Sequence, residues 1–231
     1  MSTLVIALQT EGETWDELPL RTKADLTRWI SREARNETEQ KQLHSQVETN
    51  LAFSPFTGRV ASLAVFDIER SVMAVYVVGQ ENTNFEQDGV VYKTRTEAKL
   101  LEEFWIGVLQ YDTIVTWSGR RFGLPFLLHR SSANKIKPTV DLLEQRFLYR
   151  QTGIRHIDLL DQLTFYGAMN RRPSLYLLCA AYNLPLPPSI DSTDTLTEIA
   201  IKTATTATCM ASLYEYWLDY GLSDTLGDFE F

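Results

Sequence analysis

Short β-branched runs separated by turn signals constrain this chain most. Residues 60–68 and residues 72–78 are both rich in Val, Ala and aromatics, and the spacing between them predicts a hairpin. A Ser54-Pro-Phe-Thr-Gly58 turn signal precedes them. Residues 4–9 read as a first strand, residues 90–92 as a short strand, and residues 113–117 as a buried strand. Helical spacing covers residues 19–35, where Leu20, Leu26, Trp29 and Ile30 recur at three- and four-residue intervals. Residues 36–50 are polar, an exposed helix or loop, and residues 79–88 read as loop. Amphipathic helices are predicted over 96–109, from Leu124 onward, over 173–181 and over Leu196–Tyr220, with a tight connection at 119–123. A hairpin followed by alternating strands and helices argues for α/β architecture, a mixed sheet flanked by helices.

The chain has 231 residues, 44% of them hydrophobic, enough for one sizeable core. One domain over residues 1–231 is expected, with a polar helical insertion at about 19–50. No apolar run reaches the roughly 18–20 residues of a membrane span, and no basic-then-apolar leader opens the chain. A cytoplasmic protein with no membrane partner is the expectation. Cys179 and Cys209 sit in apolar helical patterns and read as buried thiols. A net charge of −8 argues against general phosphate binding. The charge is uneven, however: residues 120–172 carry a series of arginines and lysines, either a solvated face or a phosphate-facing surface.

Several segments stand in order along the chain: Leu51-Ala-Phe-Ser-Pro-Phe-Thr-Gly-Arg-Val60, Thr116-Trp-Ser-Gly-Arg-Arg-Phe-Gly-Leu-Pro-Phe-Leu127, Lys135-Ile-Lys-Pro138, His156-Ile-Asp-Leu-Leu-Asp-Gln-Leu-Thr-Phe165, Ser174-Leu175 and Leu213-Tyr-Glu-Tyr-Trp217. Together they resemble one family, the predicted 3′-5′ exonucleases related to the proofreading domain of family-B DNA polymerases. The resemblance covers nearly the whole chain and implies an RNase H-like fold of the DEDD type. It also implies a pair of divalent ions about 3.5–4 Å apart, held by four carboxylates. Two would come from an Asp-x-Glu on the first strand, a third from an Asn-x-x-x-(Phe/Tyr)-Asp segment. The fourth would lie in the last helix, four residues after a Tyr or His.

Carried over position by position, that pattern meets other residues here. Ala7 and Gln9 stand at the Asp and Glu of the first strand. Ser118 replaces the Asn and Gly123 the Asp of the second segment. Lys202 falls at the Tyr/His position and Thr206 at the last Asp, and no Asp or Glu occurs in residues 199–213. No catalytic residue and no metal or cofactor is therefore expected. The reading is a catalytically inactive exonuclease-like module that binds single-stranded nucleic acid or a protein partner. Thr10, Ser118, Arg120, Arg121 and Phe122 are its candidate nucleic-acid contacts.

Two alternatives stay open. Phe66-Asp67-Ile68-Glu69 imitates the missing Asp-x-Glu. An active exonuclease with a relocated Mg²⁺ or Mn²⁺ site would use Asp67 and Glu69 with Asp158 or Asp161. That site requires Asp67 and Asp158 within roughly 5 Å of each other. Otherwise Asp67 and Glu69 are a strand-end pair near Arg70, and Asp158 and Asp161 cap a helix. His156 is either a general base or a hydrogen-bonded structural residue, and Trp117 and Phe122 either stack on bases or pack in the core. The other alternative is a regulatory protein that binds no nucleic acid.

Overall fold

A computed structural model describes residues 2–191 and 193–221. Seven strands form one mixed sheet: β1 (Thr3–Gly12), β2 (Gly58–Asp67), β3 (Val72–Val78), β4 (Asn84–Gln87), β5 (Val90–Arg95), β6 (Thr113–Thr116) and β7 (Arg155–Asp158). Their order is β4-β5-β3-β2-β1-β6-β7. The expected hairpin is present, with β2 antiparallel to both β1 and β3. On the other side β1 runs parallel to β6, and β6 parallel to β7. Strand β1 thus joins the antiparallel pairing with β2 to the parallel pairing with β6, and β5 also runs parallel to β3.

Alternation along β1 divides the core into two layers. Val5 and Ala7 face one side with Ala64, Val75, Val115 and Ile157. That side is covered by α7 (Leu175–Ala181) and α8 (Leu196–Tyr220). Small residues at Ala200, Ala204, Ala207 and Ala211 let α8 lie close to the sheet, and Met210 and Leu213 fill the remaining gaps. Each of those two larger side chains contributes about 2 kcal/mol by leaving water. Leu4 and Ile6 face the opposite layer with Leu63 and Ile114, under α4 (Glu97–Gly107) and α5 (Leu124–Ala133). There the buried Trp105 indole N–H donates to Ser131 Oγ at 2.8 Å. Cys179 and Cys209 are both buried free thiols.

Two elements differ from expectation. The predicted loop at 79–88 contains β4, an exposed edge strand antiparallel to β5, and β5 itself runs on to Arg95. Phe85 stacks on Tyr92, their rings 4.9 Å apart. The predicted helix at 19–35 is two pieces, α1 (Leu20–Thr27) and α2 (Ile30–Glu33). Local side-chain bonds compete there: Thr27 Oγ1 donates to the Lys23 carbonyl and Trp29 Nε1 to the Leu26 carbonyl. Residues 36–50 resolve as helix, α3 (Glu37–Thr49), capped by Asn36, whose side chain accepts from the Glu39 N–H. Neither α1 nor α3 buries a residue, and α2 contributes Ile30. Among the described residues no helix is long and apolar enough to cross a membrane.

Candidate functional site

Strand β6 ends at Thr116 opposite Ile6, while β1 runs on to Gly12 against β2, so β1 has an antiparallel neighbour on one flank and the end of a parallel one on the other. Such a reversal opens a crevice at the carboxyl ends of the strands, where α/β proteins bind ligands. A cavity of about 310 Å³ lies there. Its walls bring together Ala7 and Gln9 from β1, Ser118, Phe122 and Gly123 from the segment after β6, and Thr206 from α8. Positions far apart in the chain thus meet in one place.

The segment after β6 takes an uncommon form. Ser118 has a left-handed backbone, φ 54°. Gly119–Gly123 then forms a π-helical turn leading into α5, a feature frequent at functional sites. Only glycine fits at 119, because a Cβ there would lie 2.1 Å from Thr116 Oγ1. Asp158, at the end of β7, clamps this turn. Its Oδ1 accepts the Ser118 N–H and its Oδ2 the Arg120 N–H, both at 2.9 Å. The same carboxylate caps α6 (Leu159–Leu163) by accepting the Leu160 N–H. Burial raises the Asp158 pKa, and the N–H groups it accepts only partly offset this.

A second cavity, about 590 Å³, adjoins the first at Ser118. Arg120, Arg121, Arg146 and Arg172 line it, with Asp158 and Asp161. Arg146 grips Asp161 through two bonds, 2.8 and 2.7 Å. Arg120 is turned to the loop beneath, donating to the carbonyls of Leu143 and Gln145, and burial lowers its pKa. Arg121 and Arg172 are exposed and have no ion-pair partner among the described residues. Arg172 was not among the sequence candidates. Its place in the basic run of 120–172 was the available signal, but nothing local set it apart from Arg171.

Other candidates lie elsewhere. Thr10 follows a register shift in β1, pairs with Val60 and is not part of the cavity lining. Lys202 also points away, forming an ion pair with Asp194 at 2.6 Å. His156 is buried, its Nε2 within 2.8 Å of Thr116 Oγ1. Burial, reinforced by the nearby Arg120 charge, pushes its pKa down to about 3, so it is neutral at ordinary pH and sits as a structural residue.

The relocated carboxylate site is not assembled. Asp67 lies on β2 and Asp158 on β7, three strand spacings apart, or about 14 Å. Asp67 instead accepts from Tyr111 Oη at 3.1 Å and from the Arg70 N–H at 2.9 Å. Glu69 accepts the Thr3 N–H at 2.7 Å, by the opposite ends of the parallel strands. Both acids close the strand end.

The donor set at the cavity does not fit a pair of divalent ions. Such ions need several anionic oxygens. Ala7 offers a methyl group, Gln9 a neutral amide, Gly123 no side chain, and Thr206 a hydroxyl whose proton goes to the Lys202 carbonyl. No Asp or Glu among the described residues lines that cavity. Among the described residues no group of three His, Cys, Asp or Glu is placed to hold a metal ion.

A mixed seven-stranded sheet with helices on both faces matches a polymerase exonuclease-like fold. The solved structure of the family B DNA polymerase from the hyperthermophilic archaeon Pyrobaculum calidifontis is similar, with a TM-score of 0.53 and 16% identity. The match covers 94% of this chain and 24% of the polymerase, and the likeness is one of fold. A family model described as "Predicted 3'-5' exonuclease related to the exonuclease domain of PolB" matches residues 66–195. The chain belongs to that family. The matched residues include Ser118–Gly123 and Asp158, whereas Ala7, Gln9, Lys202 and Thr206 lie outside them. A search of curated proteins finds no match.

Proposed function

We propose that this chain is a catalytically inactive exonuclease-like domain that holds single-stranded nucleic acid in its cleft. One observation carries the reading: among the described residues no carboxylate lines the crevice beside β1 at the end of β6, and an arginine-lined cavity adjoins it. Neutral side chains remove both the ligands for divalent ions and the repulsion of phosphate. The neighbouring arginines supply local attraction within a chain of net charge −8. Binding then depends on a confined site rather than on a basic face.

The test uses the full chain, free of contaminating nuclease, with an end-labelled single strand. With Mg²⁺ or Mn²⁺ the strand keeps its length, while fluorescence anisotropy at low salt shows binding that weakens as salt rises. Metal-dependent release of nucleotides from the 3′ end overturns the inactivity. Absence of binding at low salt overturns the binding role and leaves the reading without nucleic acid.

A further inference from the structure

Residues 173–190 are the longest stretch of this chain without a charged side chain, and residues 203–214 are the next. The first stretch contains α7 and the second the middle of α8. Leu175 shares the cleft wall with Thr206 and Met210, while Tyr182 stacks on Tyr216 at 4.7 Å. Helix α7 therefore runs beside the second half of α8 and parallel to it. Its inner face packs Leu175, Leu178 and Cys179 into the core. Its outer face presents Tyr176 and Leu177 to water, 55% and 57% exposed. The aromatic stack goes on from Tyr216 to Tyr220, 4.8 Å away and 74% exposed. Aromatic side chains enriched and charges depleted at the centre of a surface are the composition of a protein interface.

Charges return at the two ends of this face, with opposite sign. Arg171 is exposed just before α7, and Glu215 and Asp219 are exposed in the last turns of α8. None of the three has an ion-pair partner among the described residues.

We infer that two copies of this chain associate through the α7–α8 face, about a twofold axis that sets the α7 helices antiparallel. Three features select a second copy as the occupant. A chain of net charge −8 repels its own kind, so self-contact has to fall where acids are absent. An axis across the middle of the face brings the basic end of each copy to the acidic end of the other, the self-complementary pattern of an isologous contact. The area is also adequate. Tyr176, Leu177 and Tyr220, with the half-buried Tyr182 and Tyr216, present on the order of 500 Å². That is most of the roughly 800 Å² per partner found in stable interfaces. The inference does not depend on what the cleft holds.

Sedimentation velocity of the full chain over a concentration series tests it. A species of twice the 26.5 kDa chain mass is expected to grow with concentration. Tyr176→Glu/Leu177→Glu changes two exposed side chains in the first turn of α7, where acids suit the helix dipole. That variant keeps the parent melting temperature of the monomer and loses the dimer. Arg171→Glu raises the dimer Kd about tenfold, through like charges brought together at the rim. Arg171→Glu/Glu215→Arg/Asp219→Arg exchanges the two ends and restores the parent Kd. A chain that keeps the mass of one copy at every concentration overturns the inference, as does a dimer indifferent to Tyr176→Glu/Leu177→Glu. A dimer that Arg171→Glu leaves unchanged, or that the exchange of ends does not restore, overturns the antiparallel arrangement.

Discussion

Asp158 shows how one buried carboxylate shapes a site it does not chemically enter. It is 3% exposed and accepts three backbone N–H groups, from Ser118, Arg120 and Leu160. These bonds hold Ser118 in a left-handed conformation that costs an L-residue about 1–2 kcal/mol. Asp158→Ala strands all three donors, and we expect a loss of about 3 kcal/mol, measured by urea unfolding. Its helix-capping role was legible, since Asp precedes an apolar helical run in His156-Ile-Asp-Leu-Leu-Asp. The clamp on residues 118–120 was not, because it joins two strands that are separate in sequence.

Among the elements, α4 and α5 are tied to the sheet by one polar cluster. Arg130 Nε and Nη2 donate to Glu97 at 2.9 and 2.6 Å, and Arg130 Nη1 donates to the Pro55 carbonyl. Glu97 also accepts the Val60 N–H and the Asn134 amide. Burial tends to raise the Glu97 pKa, but the bonds from Arg130, Val60 and Asn134 outweigh it and hold the carboxyl below its ordinary value. Arg130→Ala leaves that carboxylate buried without its cation, a loss of about 3–5 kcal/mol. Thermal melting of the variant and of Glu97→Gln/Arg130→Met checks it, the double variant recovering part of the loss. Helices α4 and α8 follow directly from periodicity and caps. Strand β4 was missed although its signal was present: Asp88-Gly89 is a hairpin dipeptide, and both residues have positive φ, 53° and 76°. The polar Asn-Phe-Glu-Gln run lacks alternation, so its strand character comes from pairing with β5.

For the whole molecule, acid stability turns on His156. Its folded pKa of about 3 lies well below the ordinary 6.5, so between these values the unfolded chain binds a proton that the folded chain refuses. The neutral histidine therefore gives full stability above pH 6.5, which is lost progressively as pH falls toward 3, by up to about 5 kcal/mol. Asp158, with a raised pKa, works in the opposite sense, whereas the depressed Glu97, Asp194 and Glu198 add to the loss at lower pH. Urea midpoints between pH 6.5 and 4.5 should slope downward in the parent and flatten in His156→Gln. An equal slope in both removes His156 as the cause. The sequence by itself determined the central strands, the long closing helix and the absence of acids from residues 199–213, because periodicity, propensity and charge are written locally. Only the tertiary structure decided that Ala7, Gln9, Ser118, Gly123 and Thr206 share one cavity, that Lys202 turns aside to Asp194, and that Asp67 lies three strands from Asp158. Strand order is set by which faces pack together over long separations, and no local pattern carries that information.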